Sequence, residues 1–168
     1  MNKDFALFLE QRFHFSASEV YPGLFQSSKI RSDEDVEAVK NLGIKSVVDL
    51  EGAFDLDMPF LDTYLFWPIH DVPWLPPTDM LYMVCRFIEL QVSWGNKVLV
   101  HCSQGLNRAG LVCARVMIMK GMTGIEALAK IRAKRPGALW NPAFSLFIEK
   151  LTPNSSQVDY PNQGKKGE

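Results

Sequence analysis

The chain has 168 residues, 47% hydrophobic and 22% charged, the balance of one soluble globular domain. Lys+Arg 18 against Asp+Glu 19 leave a formal net charge of −1, so no global basic field argues for nucleic acid or an anionic membrane. Three cysteines, Cys85, Cys102 and Cys113, are odd in number and suggest no disulfide framework; a reducing, cytoplasmic setting is expected. The apolar segment 5–9 is too short for a signal h-region, no run approaches a transmembrane length, and the terminal Lys-Lys-Gly-Glu offers no prenylation cysteine.

Residues 1–20 hold Phe5, Leu7, Phe8, Leu9, Phe13 and Phe15, and predict a short helix and an extended lead-in packed on the domain. Residues 23–27 form the expected first strand. Ser32-Asp33-Glu34-Asp35 opens a helix with an N-cap serine and first-turn acids; Val36, Val39 and Leu42 give its apolar face, and Gly43 stops it. Residues 44–50 and 64–69 read as β-branched and aromatic strands. Between them Asp55, Asp57 and Asp62 lie in an irregular acidic stretch without ligand spacing, expected to be a solvated loop. The proline-studded segment 70–77 leads to a helix faced by Leu81, Val84, Cys85, Ile88 and Val92, which ends near Gly95.

Residues 98–100 are an unbroken apolar run, a strand buried on both faces. It ends at His101-Cys102, five residues pass, and Arg108 opens a largely apolar helix with Leu111, Val112, Ala114, Val116, Met117 and Ile118. Thr123-x-x-Glu126 is a capping box, with Ile125, Leu128, Ala129 and Ile131 expected inward. Arg135-Pro136-Gly137 breaks that helix, and Asn141-Pro142 caps a last one burying Phe144, Phe147, Ile148 and Leu151. Strands alternating with helices predict an α/β domain over 21–151, its sheet mainly parallel and flanked by helices on both faces. Residues 152–168 read as a disordered tail.

The loop from Cys102 to Arg108 joins a strand to a helix N-terminus. Such a loop turns several N–H groups inward where the helix dipole adds positive potential, which suits a tetrahedral dianion and favours a thiolate nucleophile. Arg108 can hold two anion oxygens bidentately.

His-Cys-x5-Arg between strand and helix resembles the signature of the cysteine-dependent protein tyrosine and dual-specificity phosphatases. The resemblance spans roughly residues 20–151 and implies that family's fold. It implies Cys102 as nucleophile, Arg108 and the loop residues Ser103, Gln104, Gly105, Leu106 and Asn107 as the phosphate cradle, and His101 as an orienting neighbour. The family carries a general-acid aspartate on a mobile loop about thirty residues before the cysteine; Asp71 stands there, directly after a strand. Trp67-Pro68 is similar to the start of the larger enzymes' Trp-Pro-Asp loop, but Asp71 follows three residues later, so that tripeptide is absent. No metal or cofactor is expected, because Arg108 and the amides supply the positive charge, and three histidines with scattered cysteines give no zinc spacing. His70 and His14 are assigned no function, and Asp49 and Asp79 are expected to be silent in catalysis.

The loop's five residues are uncharged, unlike those of phosphoinositide-directed relatives. The resemblance also implies a shallow site; a phosphorylated protein or peptide as partner, no membrane and a monomer are expected. Gly105-Leu106-Asn107-Arg108 is also similar to the loop of RNA 5′-triphosphatases, which leaves an RNA 5′ end open as substrate. Those enzymes generally lack the acid. Ala109 stands where the family usually has Ser or Thr, whose hydroxyl stabilises the departing thiolate. A slow second step is expected, and a non-catalytic phospho-binding module stays open.

Overall fold

The structure is a computed structural model and describes residues 15–153. The short helix expected in the Phe-rich lead-in, His14 and the tail beyond residue 153 lie outside the described residues. Five strands form one sheet: β1 (Ala17–Tyr21), β2 (Leu24–Ser27), β3 (Ser46–Asp49), β4 (Thr63–Phe66) and β5 (Val98–His101), in the order β1-β2-β5-β3-β4. β1 and β2 are antiparallel; the other neighbours, β2 with β5, β5 with β3 and β3 with β4, are parallel. The sheet is thus mainly parallel, as the alternation predicts. β1 is a difference: residues 17–21, read as lead-in, pair along the sheet edge through a hairpin turn with Gly23 at φ 78.

Helix α1 (Asp33–Asn41) covers one face, and α2 (Thr78–Ser93), α3 (Arg108–Met119), α4 (Gly124–Lys134) and α5 (Pro142–Glu149) lie on the other. The alternation of side chains sorts each strand between the two cores. Phe25, Val47 and Leu99 pack with Ile30 and Val39 on the α1 face; Leu24, Val48, Val98 and Val100 pack with the four helices. β5 lies at the centre, and Val98, Leu99 and Val100 are all fully buried, each stabilising by about 1.5–3 kcal/mol relative to exposure. This explains the unbroken apolar run. α3 is enclosed on every side from Ala109 to Ile118, which explains why its sequence lacks a polar stripe.

The Thr123 capping box forms as the sequence predicts, its hydroxyl accepting from Glu126 N; the expected N-cap Ser32 accepts from Asp35 N and also completes a capping box with Asp35. The inward face of α4 differs. Leu128 and Ile131 are buried as expected, but Ile125 and Ala129 are exposed and Gly124 and Ala127 are buried in their place. Gly124 meets α5 backbone so closely that an added Cβ would fall 1.7 Å from the Ile148 carbonyl oxygen. This contact turns the helix about its axis relative to the expectation. Among the described residues, no helix is long and apolar enough to cross a membrane.

Candidate active site

Parallel sheets bind ligands at the carboxyl ends of their strands. Here β5 delivers His101 and Cys102, β3 delivers Asp49, Leu50 and Glu51, and the chain beyond β4 delivers Asp71. A cleft of about 290 Å³ is lined by Asp71, Cys102, Ser103, Gln104, Leu106, Asn107, Arg108 and Trp140. It therefore brings together the predicted nucleophile, arginine and acid. Gly105 is the one predicted contact that does not line it. This residue makes the turn: its φ is 65, and an added Cβ would fall 2.3 Å from the Ser27 carbonyl.

Arg108 is held at the base of the cleft. Its guanidinium donates to the Leu50 and Ile69 carbonyls, each at 3.2 Å, and lies 2.6 Å from Glu51 Oε1. Its Nε has no protein partner. The loop's outward carbonyls are tied down from outside. Gln26 Nε2 and Arg135 Nε donate to the Gly105 carbonyl at 2.8 and 2.9 Å, and Arg135 also reaches Gln104 O, Gln26 O and the Ser16 carbonyl. Carbonyls satisfied outside leave the loop to face its N–H groups inward. Burial lowers the pKa of Arg135 and the nearby Cys102 and Cys113 raise it, so this buried cation lies in the field of Cys102.

Both oxygens of Asp71 are occupied: Oδ2 accepts from Asn107 Nδ2 at 2.8 Å and Oδ1 from Asn141 Nδ2 at 2.7 Å. Asn141 is presented by a tight segment in which Leu139 adopts φ 55, a left-handed conformation that costs a non-glycine residue about 1–2 kcal/mol. Arg132 holds that segment through the Ala138 and Leu139 carbonyls.

His101 points to the other side of the sheet. It pairs in register with Asp49, and its Nε2 lies 3.6 Å from Asp49 Oδ1 and 2.6 Å from Asp55 Oδ2, without the alignment of a hydrogen bond. All three side chains are fully buried. The Tyr64 hydroxyl donates to Asp49 Oδ2 at 2.5 Å and accepts from Asp55 N at 3.1 Å. Asp55 is therefore no solvated loop residue. The loop folds back because its backbone N–H and carboxylate find Tyr64 and His101, on strands whose adjacency the sequence does not show. Among the described residues, Asp49, Asp55 and His101 bring ligand atoms within 4.8 Å of one another, close enough to share a cation.

Cys85 and Cys113 are fully buried, and burial pushes their thiols up, Cys85 to about 12, away from the thiolate form. All three cysteines are free. The sequence reading missed Glu51, Gln26, Arg135, Asn141 and Trp140. Glu51, just past the end of β3, needed the strand order to be found. The Arg135-Pro136 break and the Asn141-Pro142 cap were visible as helix punctuation, which hid their second use.

The family "Dual specificity phosphatase, catalytic domain" matches residues 24–151. The chain belongs to that family. It is 31% identical over 141 residues to dual specificity protein phosphatase 15 of Homo sapiens, covering 82% of this chain and 46% of that protein. The chain thus spans about half the length of that relative. Among solved structures it is similar to Tk-PTP in the active form (TM-score 0.71, 29% identity, covering 83% and 97% of the two chains). It is also similar to human DUSP28 (TM-score 0.69, 25% identity, covering 80% and 90%).

Proposed function

We propose that the chain hydrolyses phosphomonoesters of proteins through a Cys102 phosphocysteine, as a dual-specificity phosphatase without a metal cofactor. The carrying observation is the convergence of Cys102, Arg108 and Asp71 on one cleft at the α3 N-terminus. Cys102 Sγ attacks phosphorus, the bond from phosphorus to the ester oxygen breaks, and Asp71 gives that oxygen its proton. Arg108 and the loop amides take up the equatorial charge. Water then attacks the phosphocysteine, Asp71 takes the proton, and the thiolate departs. Ala109 offers no hydroxyl to the departing thiolate, so the second step is the slow one and the intermediate accumulates.

The RNA 5′-triphosphatase reading stood on Asn107. A phosphoanhydride leaving group needs no proton, whereas Asn107 here bonds the acid itself, which favours a phosphomonoester. Phosphoprotein partners, a monomeric state and a reducing cytoplasmic setting belong to the same proposal.

Wild type should hydrolyse an aryl phosphate in EDTA, and acid quench should trap a phosphate adduct on the peptide containing Cys102. Cys102→Ser should show neither turnover nor adduct. Undiminished activity in Cys102→Ser, or turnover abolished by EDTA, contradicts the mechanism. Phosphopeptide binding without turnover in wild type and in Ala109→Ser points to a binding module, and faster turnover of triphosphate-ended RNA than of phosphopeptide points to the anhydride reading.

A further inference from the structure

We propose that Asn107 is a positioning residue which, from inside the phosphate loop and together with Asn141, locks Asp71 in the cleft, so that cradle and proton donor form one preassembled unit. This rests on the reading of Asp71 as the acid.

Asn107 occupies the N-cap position of α3. An asparagine there normally turns its side-chain oxygen onto the N–H of the second or third helical residue. Here it does not: its backbone is at φ −86 and ψ −62, and its side chain makes no cap bond. Both of its polar atoms are spent elsewhere. Nδ2 donates to Asp71 Oδ2 at 2.8 Å, and Oδ1 accepts from the Asn141 N–H at 3.1 Å. The first-turn N–H groups of α3 are thereby left to an anion in the cleft rather than to a side-chain cap.

Asn141 closes the bracket. Its Nδ2 donates to Asp71 Oδ1 and to the Val72 carbonyl at 2.9 Å, while its Oδ1 caps α5 through the Ala143 N–H at 3.0 Å. Asn107 is 2% and Asn141 4% exposed, so water does not compete freely for these bonds. Asp71, by contrast, is exposed and lies on an irregular Pro-rich segment. Among the described residues, the two amides make the hydrogen bonds that fix its carboxylate. Leu139 N donates to the Leu106 carbonyl at 3.3 Å, so the segment presenting Asn141 is itself fastened to the phosphate loop. Both arms of the bracket therefore belong to one rigid frame.

Two replacements separate the roles. Asn107→Ala removes both bonds; Asn107→Asp keeps the volume and the acceptor for Asn141 N–H but sets a carboxylate against Asp71. On a phosphoserine peptide, kcat/KM should fall about tenfold in Asn107→Ala, and about a hundredfold in Asn107→Asp, as befits loss of a bond to a charged group. On an activated aryl phosphate the loss in Asn107→Ala should be clearly smaller than on the phosphoserine peptide. Combining Asn107→Ala with Asp71→Asn should cost no more than Asp71→Asn alone, and Ki for inorganic phosphate should rise less in Asn107→Ala than kcat/KM on the phosphoserine peptide falls. A loss equal on both esters, additive with Asp71→Asn and matched by weaker phosphate inhibition, overturns the proposal, because Asn107 then serves the phosphate. If Asp71→Asn is itself blind to the leaving group, the acid assignment fails and hydrogen exchange of residues 70–77 decides the positioning claim. Faster exchange in both Asn107 variants supports it, and unchanged exchange overturns it.

Discussion

The aspartates on the two sides of the His101-Cys102 pair live in opposite surroundings. On the cleft side Asp71 is exposed and held by two neutral amides. On the α1 side Asp49 and Asp55 have fully buried side chains around His101 and Tyr64. On the proposed reading, the exposed carboxylate, oriented by amides, exchanges a proton with substrate. Buried carboxylates facing an imidazole hold the strand end from which Cys102 emerges, and removing one leaves the other groups uncompensated. On the proposed reading, one residue type serves chemistry on one face and architecture on the other, and burial decides which.

That division can be broken by substitution. Asp55→Ala strands His101 and should cost about 3–5 kcal/mol in urea unfolding, the usual loss when one partner of a buried pair is removed. Asp71→Ala should cost less, about 1–3 kcal/mol, for the buried Asn107 and Asn141 amide donors it leaves unpaired. Equal losses in the two variants would erase the distinction.

A smaller effect sharpens it. Burial pushes the Asp49 carboxyl above its ordinary value, against the downward pull of His101, the Tyr64 hydroxyl and the Glu51 N–H. In the window between the ordinary and the raised value, the folded chain holds a proton that the unfolded chain has released. Wild-type stability therefore falls as pH rises through that window. Asp49→Asn cannot titrate, so the Tm advantage of wild type over this variant should shrink as pH rises from the ordinary carboxyl range upward. A Tm difference independent of pH would show that Asp49 does not titrate differently on folding.

Local chemistry made much of this legible in the sequence. The β5-loop-α3 signature, the Ser32 N-cap, the Thr123 capping box and the position of Asp71 rest on spacing and residue type within one stretch of chain. What stayed hidden depends on strand order. Asp49 meets His101 because β3 and β5 are neighbours in register, although about fifty residues separate the two. Glu51 reaches Arg108 for the same reason. The burial of Asp55 needs a loop to fold back onto Tyr64, which no periodicity announces. The misread face of α4 has a different origin: Gly124 drew no notice in the sequence, whereas its missing side chain lets α5 approach. A residue chosen for what it lacks leaves no hydrophobic signal.

The central claim is that Asp71 handles the proton and the buried pair does not. Its most direct test is kcat/KM across a series of phosphate esters of increasing leaving-group pKa, for wild type, Asp71→Asn and Asp55→Asn. Asp71→Asn should lose about 10²–10⁴-fold at the least acidic leaving group and little at the most acidic, giving a steep slope. Asp55→Asn should run parallel to wild type at whatever level its folded fraction sets. A steepened slope in Asp55→Asn, or an unchanged one in Asp71→Asn, would contradict the account.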